Sequence, residues 1–299
     1  MAIPTGDDVR TMHDAYRMHP RQWRDARYVY PVVSRRSGGL SIGINLSPGK
    51  ECSFHCLYCQ VDRRNTAAPA RVDPARLQSE LEAILGEEQR GRLYDVPPFG
   101  LLPLHARGVR DIAFSGDGEP TASPDFPKGV GIAARARLRF GLGAAKIVLI
   151  TNASLLDRPR VRRALEVLDR NNGEVWAKLD AGTETYFRTV NRSPVPLAHI
   201  LGNILDAARA RSVVIQSIWM RLGGAAPAPR EIEAYCDRLN GILASGGRLK
   251  ALHLYTIART PGEPCVSALE DDALDRIADT VRSRVPVPAE VFYQTGTAT

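Results

Sequence analysis

Three of the five cysteines are crowded into the segment ECSFHCLYCQ with a C-x3-C-x2-C spacing. They are Cys52, Cys56 and Cys59. Thiolates held this closely on one loop suit a metal centre, since thiolate is the soft ligand of Fe–S clusters and zinc. Five cysteines are an odd set for a disulfide scaffold, and a chain of 299 residues is too large to need one. The spacing therefore predicts a metal centre on this loop.

The number of ligands bears on which metal the loop would hold. Structural zinc takes four ligands, and the nearby His55 lies between two of the cysteines, where we expect a compact loop to aim it elsewhere. A four-iron cluster held by three cysteines leaves one iron open, as a catalytic cluster requires. We therefore expect a [4Fe-4S] cluster, with zinc and unrelated core cysteines as the alternatives.

Six strand patterns alternate with five helical patterns along the chain. The predicted strands are Leu40–Leu46, Asp111–Ser115, Lys146–Thr151, Glu174–Asp180, Ser212–Trp219 and Leu249–Ile257. The predicted helices are Pro74–Leu85, Asp125–Leu138, Pro159–Leu168, Pro196–Ala210 and Pro229–Leu243. This alternation predicts an α/β fold with a parallel sheet built from βαβ units. The periodicity does not distinguish a closed barrel from an open sheet.

Three segments lie outside this alternation. Residues 1–39 are predicted to form an N-terminal extension on the main domain, 40–285, and residues 286–299 a C-terminal tail. The segment Gly86–Gly108 holds three prolines and four glycines, and we interpret it as an insertion. Because long loops in compact domains are usually lids or disordered, it is our candidate substrate lid.

The composition is that of a folded, soluble protein. The chain is 44% hydrophobic and 24% charged, which excludes collagen, a coiled coil and a wholly disordered chain. No stretch approaches the roughly 18 apolar residues that cross a bilayer. The N-terminal segment MAIPTGDDVR carries acids where a secretory signal would be basic and then apolar. We therefore predict a cytoplasmic protein with no membrane partner.

The net charge of +7 invites a nucleic-acid hypothesis. Only five of the 40 basic residues are lysine, and such an arginine excess often reflects codon usage, so the charge alone is weak support. A local stripe would count for more. Arg21, Arg24 and Arg27 could share a helix face, but solvated surface arginines explain them as well. RNA is thus a conceivable partner that the sequence does not support.

Beyond the spacing, the cysteine segment has an aromatic residue, Tyr58, before its last cysteine. In this it resembles the motif of the radical S-adenosylmethionine (radical SAM) superfamily. FSGDGEPT (Phe114–Thr121) resembles that superfamily's Gly-rich element. ITNASLL (Ile150–Leu156), KLDAGTETYFRTVNR (Lys178–Arg192) and LYTIARTPGEP (Leu254–Pro264) then follow in order. The series, over roughly residues 40–285, is similar to the branch grouped with the wyosine-forming tRNA synthetases.

The resemblance implies a partial (β/α)6 barrel like that of TIM barrels, with chemistry at the carboxyl ends of the strands. It implies that Cys52, Cys56 and Cys59 hold three irons and that S-adenosylmethionine chelates the fourth. The reduced cluster would cleave S-adenosylmethionine to a 5′-deoxyadenosyl radical, which abstracts a hydrogen from a small molecule, a peptide or an RNA base. Such an oxidoreductase needs an electron donor such as flavodoxin or ferredoxin.

The resemblance also assigns roles within the Gly-rich element. Gly116 and Gly118 would let the backbone approach the ligand, and Glu119, before Pro120, would offer a carboxylate to the methionyl ammonium group. An ordinary strand-to-helix turn is the alternative. Tyr58 would pack near adenine, although a hydrophobic wall for the cluster would suffice.

Four more polar residues are candidate cofactor contacts. Asn152 and Asp180 end two strands, where each could meet a ribose hydroxyl or a polar substrate, or cap a turn. Gln216 alternates within an apolar strand, so its buried amide needs a partner, either a cofactor or a structural hydrogen bond. Arg192, which follows Asn191, could bind the methionyl carboxylate bidentately or lie on the surface.

The remaining candidates concern charge and thiols. Lys50 would place a cation close to the cluster and raise its potential, unless it is simply solvated. Cys236 lies in a helical pattern and Cys265 in a loop, and two scattered cysteines cannot hold a second cluster. We therefore predict one cluster. Cys265 is a speculative catalytic hydrogen donor and otherwise an incidental cysteine.

Two functions of different class survive. One is a radical enzyme that cleaves S-adenosylmethionine. The other is a non-catalytic Fe–S or zinc protein that binds nucleic acid in a salt-dependent way. The cysteine motif together with GEPT favours the enzyme, because a pure binder has no use for a cofactor-binding carboxylate beside a cluster.

Overall fold

The computed structural model describes Ala15, Tyr16, Met18 and residues 23–63 and 71–294. Parts of the predicted extension and tail, including Arg21, lie outside the described residues. The strands are β1 Val29–Ser34, β2 Gly39–Ile44, β3 Val109–Phe114, β4 Lys146–Thr151, β5 Gly173–Lys178, β6 Val213–Ile218, β7 Met220–Leu222, β8 Leu249–Tyr255, β9 Val266–Ala268 and β10 Ala289–Phe292. The α-helices are α1 Pro74–Gln89, α2 Phe126–Arg139, α3 Pro159–Asp169, α4 Glu184–Asn191, α5 Leu197–Ala210, α6 Pro229–Ala244 and α7 Asp271–Arg284.

Eight strands form one sheet in the order β1-β2-β3-β4-β5-β6-β8-β10, and β7 pairs with β9 in a separate small sheet. The pairs β2–β3, β3–β4, β5–β6, β6–β8 and β8–β10 are parallel, whereas β1–β2 is antiparallel. The six predicted strands correspond to β2, β3, β4, β5, β6 and β8. The α/β fold class and the partial parallel barrel that the resemblance implied are confirmed.

Several elements have no counterpart in the sequence patterns. Strand β1 lies in the range predicted as the N-terminal extension, and β10 lies in the range predicted as the tail. Pro31 within β1 weakens a strand pattern, and proline is tolerated there because β1 is an edge strand. Helix α4 has only eight residues, too few for a clear helical periodicity.

By its contacts the chain divides into two units. The first comprises Met1–Glu51, Ala67–Leu149 and Arg163–Gly173. Its helix α1 begins where the Asp73 carboxylate accepts hydrogen bonds from the amides of Ala75 and Arg76, with Pro74 at the first helical position. Leu77, Leu81 and Ile84 of this helix are buried in the core.

The predicted insertion Gly86–Gly108 belongs to this first unit and carries local structure of its own. Its first residues extend helix α1 to Gln89, and three short 3-10 turns follow, Arg92–Asp95, Phe99–Leu101 and Leu104–Ala106. Phe99 is fully buried, and its ring meets that of Trp23 edge-on. The guanidinium of Arg92 lowers the pKa of the Glu87 carboxyl to about 2.

The second unit comprises Cys52–Thr66, Ile150–Arg162 and Glu174–Thr299. Its core contains a cluster of buried apolar side chains contributed by the cysteine segment, helix α4 and the strands: Leu57, Val190, Ile218, Met220, Ile257 and Val266. Tyr58, Tyr186 and Tyr255 pack against this cluster. The cysteine segment is therefore anchored in the core of its own unit.

Candidate functional site

The cysteine segment lies on the carboxyl end of helix α4. The amides of His55 and Leu57 donate to the carbonyls of Asn191 and Val190, at 3.1 and 2.9 Å. These carbonyls belong to the last helical turn, where a helix has acceptors without intrahelical partners. Leu57 is buried, whereas His55 is exposed. The expectation that His55 points elsewhere agrees with this geometry.

All three thiols are partly buried, and each lies near a side-chain N–H group of the same unit. Asn152 Nδ2 is 3.7 Å from Cys52 Sγ, Asn191 Nδ2 is 3.5 Å from Cys56 Sγ, and Arg63 Nη2 is 3.8 Å from Cys59 Sγ. The Phe54 amide also donates to Cys52 Sγ, at 3.4 Å. All five cysteines of the chain are thiols rather than disulfides. The loop thus presents three sulfur atoms with donors directed at them.

A buried carboxylate, Asp180, lies at the centre of the polar contacts around this segment. Its Oδ2 accepts from Tyr58 OH at 2.5 Å and from Asn191 Nδ2 at 2.9 Å. Its Oδ1 accepts from the Ile218 amide at 3.0 Å and lies 3.1 Å from Lys178 Nζ. Four donors fill the roughly four acceptor positions of a carboxylate. In this structure Asp180 is an internal hub that orders its neighbours.

Lys178 is the cation that balances this carboxylate. Its Nζ also donates to Tyr255 OH at 2.5 Å and lies over the rings of Tyr58 and Tyr255, 4.9 and 5.0 Å from their centroids. Asp180 raises the pKa of the Lys178 ammonium against the opposing effect of burial, so this lysine stays protonated. It is held as a fixed charge between two aromatic rings.

Burial and the Asp180 carboxylate raise the pKa values of two neighbouring acids, the Cys56 thiol and the Tyr58 phenol. They raise the pKa of the Cys56 thiol to about 12 in the metal-free chain. They also raise the pKa of Tyr58 well above its ordinary value, so the phenol remains protonated and donates to Asp180.

The other sequence candidates of this unit occupy distinct environments. Asn152 is buried at the end of β4, and its Nδ2 donates to Ser53 Oγ at 3.0 Å. Gln216 is fully buried, and its Nε2 is 3.4 Å from His253 Nδ1, the structural hydrogen bond that was one of the two alternatives. Arg192 has a left-handed backbone (φ 44°) and an ion pair with Glu263 at 2.8 Å. Cys236 is buried and Cys265 exposed.

The Gly-rich element, in the first unit, is shaped by close backbone packing. A Cβ on Gly118 would lie 2.1 Å from the carbonyl oxygen of Glu51, the residue that precedes Cys52. Gly116 has a φ of 141°, and a Cβ there would lie 2.7 Å from Asn45 Cγ. Only glycine fits both positions. The Glu119 amide donates to the same Glu51 carbonyl at 2.8 Å.

Glu119 itself is buried beneath this turn. Its Oε1 accepts from the amide of Thr121 at 3.1 Å and from the Thr121 hydroxyl at 2.6 Å, capping the short 3-10 turn Pro120–Ala122. The predicted Gly116, Gly118, Glu119 and Pro120 thus form one local turn.

Sequence reasoning left several contributors unassigned. Lys178 and Asp180 stand two residues apart, as on one face of a strand, and this spacing was the available signal for the pair. Tyr255 reaches the site from a segment distant in sequence, whereas Arg63 stands four residues after Cys59. Lys50, in contrast, was singled out, and it has a left-handed backbone (φ 66°) in the turn before the cysteines.

Among the described residues, no three His, Cys, Asp or Glu side chains gather closely enough to hold a single metal ion. In a four-iron cluster each thiolate binds a different iron, so the three sulfur atoms need not meet at one ion. In the part of the chain that the structure describes, no helix is both long and apolar enough to cross a membrane.

No protein-family model matches the chain. A UPF0026 protein of Methanocaldococcus jannaschii is 32% identical over 59% of this chain and 46% of its own length. A UPF0026 protein of Helicobacter pylori is 26% identical over 62% of this chain and 52% of its own length. A GTPase Obg of Brachyspira hyodysenteriae is 27% identical over 82% of this chain and 32% of its own length. The chain spans about a third to a half of these relatives.

Solved structures match over more of the chain. A radical SAM methyltransferase from Sphaerobacter thermophilus covers 89% of this chain and 69% of its own, with a TM-score of 0.60 and 14% identity. Streptococcus suis SuiB bound to S-adenosylmethionine covers 86% and 52%, with a TM-score of 0.56 and 13% identity. TYW1 with a lysine-pyruvate adduct covers 94% and 82%, with a TM-score of 0.54 and 13% identity. The chain shares its fold with radical SAM proteins.

Proposed function

We propose that this chain, whose fold is shared with radical SAM proteins, is itself a radical SAM enzyme that binds one [4Fe-4S] cluster and S-adenosylmethionine. The observation that carries the proposal is the cysteine loop. Its three thiols lie on one segment anchored by α4, and each has an N–H group near its sulfur. The substrate remains open among small molecules, peptides and RNA bases.

The donor set fits an iron–sulfur cluster. Cys52, Cys56 and Cys59 would be the three protein ligands, and N–H groups near ligand sulfurs are the contacts that stabilise and tune such clusters. Leu57 and Phe54, both buried, fix the loop between the cysteines. Phe54 also meets Phe187 of α4 edge-on, with ring centroids 5.5 Å apart.

The Gly-rich turn fits the cofactor's methionyl group. Because Gly116 and Gly118 have no side chains, the turn can pack closely against Asn45 and Glu51, and Glu119 is a carboxylate of the kind that binds an ammonium group. With both groups bound, they would supply one-electron cleavage of the C5′–S bond, giving methionine and a 5′-deoxyadenosyl radical that takes a hydrogen atom from the substrate. The electron would come from a donor such as flavodoxin or ferredoxin.

The chain's own residues would order and shield this chemistry. Asp180 fixes the orientation of Tyr58 and Asn191 beside the loop. The buried apolar cluster around Leu57 and Ile257, with the rings of Tyr58 and Tyr255 packed on it, excludes water from that side of the loop. Lys178 contributes a fixed positive charge beneath Tyr58.

The relatives' names suggest substrates that we do not extend to this chain. The lysine-pyruvate adduct was found in TYW1, and a lysine must lose its proton before it can attack a carbonyl. Lys178, near the cysteine loop, is ion-paired with Asp180, and Lys50 directly precedes the cysteine segment in the sequence. The sequence also has no G-x-x-x-x-G-K-[ST] segment of the kind that binds GTP phosphates.

Nucleic-acid binding without catalysis is the competing proposal. Many surface arginines are paired with the chain's own acids, among them Arg76 with Glu80 and Arg139 with Glu82. Such pairs reduce the local positive potential that a phosphate backbone would need. This supports the enzyme over a protein that only binds RNA.

The deciding experiment is anaerobic. The cluster is reconstituted and reduced with dithionite, S-adenosylmethionine is added, and 5′-deoxyadenosine is quantified by mass spectrometry, with Cys56→Ala as the control. Product from the native chain alone would support the proposal. Four bound irons with intact S-adenosylmethionine in every reduced sample, and no cofactor-induced change in the EPR signal of the cluster, would reject it and favour the binding protein.

A further inference from the structure

Asn191, the last residue of helix α4, joins the cysteine loop to the buried carboxylate. The residue is 1% exposed. Its Nδ2 lies 2.9 Å from Asp180 Oδ2 and 3.5 Å from Cys56 Sγ. An amide nitrogen carries two hydrogens, one of which is donated to Asp180 while the other is shared between Cys56 Sγ and Tyr58 OH, which also lies at 3.5 Å. Its main-chain carbonyl also holds the loop through the His55 amide.

The orientation of this amide is imposed by Asp180. An ionised carboxylate only accepts hydrogen bonds, so it selects the NH2 group of Asn191 and excludes the oxygen. Asn191 Oδ1 is buried and has no hydrogen-bond partner among the described residues. An amide that was free to flip would give that oxygen a donor. Asp180 therefore holds the NH2 group of Asn191 toward Cys56, and this orientation leaves the side-chain oxygen without a donor among the described residues.

Cys56 differs from the other two cysteines in this respect. Of the three side-chain nitrogen contacts, that of Asn191 is the shortest, at 3.5 Å against 3.7 Å at Cys52 and 3.8 Å at Cys59. The donor at Cys52, Asn152, is oriented by neutral groups, the Ser53 hydroxyl that accepts from its Nδ2 and the Ser154 amide that donates to its Oδ1. A charged acceptor orients its partner more strongly than a neutral one.

Resting on the proposed function, we propose that Asp180 and Asn191 are a positioning pair that sets the reduction potential of the cluster through the sulfur of Cys56. Reduction makes a cluster more negative, so an N–H donor at a ligand sulfur stabilises the reduced form and raises the potential. The Asp180 charge acts in the opposite sense, because a nearby anion destabilises the reduced form. The pair therefore combines two opposing influences on one thiolate.

The test is a redox titration of the reconstituted full chain without S-adenosylmethionine, followed by the EPR signal of the reduced cluster. Iron and sulfide are measured on the same samples. In Asn191→Ala we expect unchanged iron content and a more negative potential. A lost hydrogen bond of ordinary strength corresponds to a roughly threefold to tenfold lower ratio of reduced to oxidised cluster at a fixed potential, and tenfold is about 59 mV.

The matched control is Asn240→Ala in helix α6. The amide of Asn240 donates to the Arg284 carbonyl at 3.0 Å, so this variant removes a side chain-to-backbone hydrogen bond of the same unit without touching a cysteine contact. Its potential should equal that of the native chain. A shift as large as that of Asn191→Ala would show that loss of any asparagine in the unit suffices, and would overturn the proposal.

Two further variants keep the test decisive if Asn191→Ala binds less iron. Asn191→Ser should also lower the potential. Added to Asn191→Ala, where no amide is left to orient, Asp180→Asn removes only the anion and should raise the potential above that of Asn191→Ala. Shifts of the same sign, or none at full iron loading, would overturn the positioning pair and leave the proposed function intact. A native chain that binds no iron after reconstitution would overturn both.

Discussion

The cysteine loop and the Gly-rich turn are built in different ways. Around the loop, Asn152 after β4, Asn191 of α4 and Arg63 each place an N–H group near one thiol, and the buried Asp180 carboxylate orders Asn191. The turn is shaped by main chain packed closely against Asn45 and the Glu51 carbonyl where glycine side chains are missing, and by the contacts of Glu119 with Thr121. Side-chain contacts determine the surroundings of the cysteine loop, whereas main-chain packing determines the shape of the Gly-rich turn.

This difference decides how each region should respond to substitution. A site made of convergent side chains can lose one donor and keep its fold, so its substitutions should change properties of the bound group. A site made by backbone contact has no spare room, so its substitutions should move the backbone itself. The variants below separate the two responses.

The largest effect is expected from Cys56→Ala. Removing one of three thiolates should abolish stable cluster binding, because a cluster held by two protein ligands is readily lost. Iron and sulfide per chain after anaerobic reconstitution measure this. Cys265→Ala, at an exposed cysteine away from the motif, is the control and should bind as much iron as the native chain. Full loading of Cys56→Ala would place the cluster elsewhere.

Asp180→Asn should have the next largest effect. It leaves the ammonium of Lys178 beside a neutral amide in a site where the carboxylate was 1% exposed. Removing one partner of a buried ion pair costs about 3 to 5 kcal/mol. Chemical denaturation of the metal-free chain measures the loss. If the double variant Lys178→Met with Asp180→Asn were no more stable than Asp180→Asn, the unpaired Lys178 ammonium would not be the cause of the lost stability.

Gly118→Ala tests the sterics of the turn. Its Cβ would lie 2.1 Å from the Glu51 carbonyl oxygen, so main chain must shift, at a cost of about 1 to 3 kcal/mol. We expect at least tenfold weaker binding of S-adenosylmethionine to the cluster-loaded chain, measured by equilibrium dialysis. The control is Gly202→Ala in helix α5, where nothing lies within 4 Å of the new Cβ.

The control variant Gly202→Ala should be more stable than the native chain. Alanine in a helix interior is favoured over glycine by about 0.5 to 1 kcal/mol, so Gly202→Ala should unfold at a higher denaturant concentration. Equal effects of the two substitutions would contradict the steric account of the turn. Unchanged cofactor binding in Gly118→Ala, despite lower stability, would separate the turn from the ligand.

The same contrast explains what the sequence could predict. C-x3-C-x2-C and GDGEPT are contiguous, and their local geometry follows from residue types and spacing. The six predicted strands contain apolar runs that are long enough to be recognised as strands from the sequence. Asn191 and Lys178 act on the loop only because the fold brings α4 and β5 to it, and no local pattern encodes that placement. Strand β10, with four residues, is too short to leave a periodic signal.

Asp180, which the sequence marks as a candidate cofactor contact, orders neighbouring protein groups in the structure. The sequence marks it as a polar residue at the end of a strand, a position where α/β proteins bind ligands. The structure surrounds its carboxylate with Tyr58, Asn191, Lys178 and the Ile218 amide. Direct contact with a ribose hydroxyl stays a prediction, and it would have to compete with four donors already present.

The smallest effect is expected from Tyr58→Phe. It removes one of the four donors to Asp180 and keeps the aromatic ring and three donors, so stability should fall by about 1.5 kcal/mol, the lower end for a hydrogen bond to a charged group. Iron content should be unchanged, and because the ring remains, so should the affinity for S-adenosylmethionine. Tyr255→Phe, which removes the hydroxyl that accepts from Lys178, is the matched control. Weaker cofactor binding in Tyr58→Phe alone would mean that its hydroxyl, and not its ring, contacts the ligand, and the hub would then extend into the cofactor site.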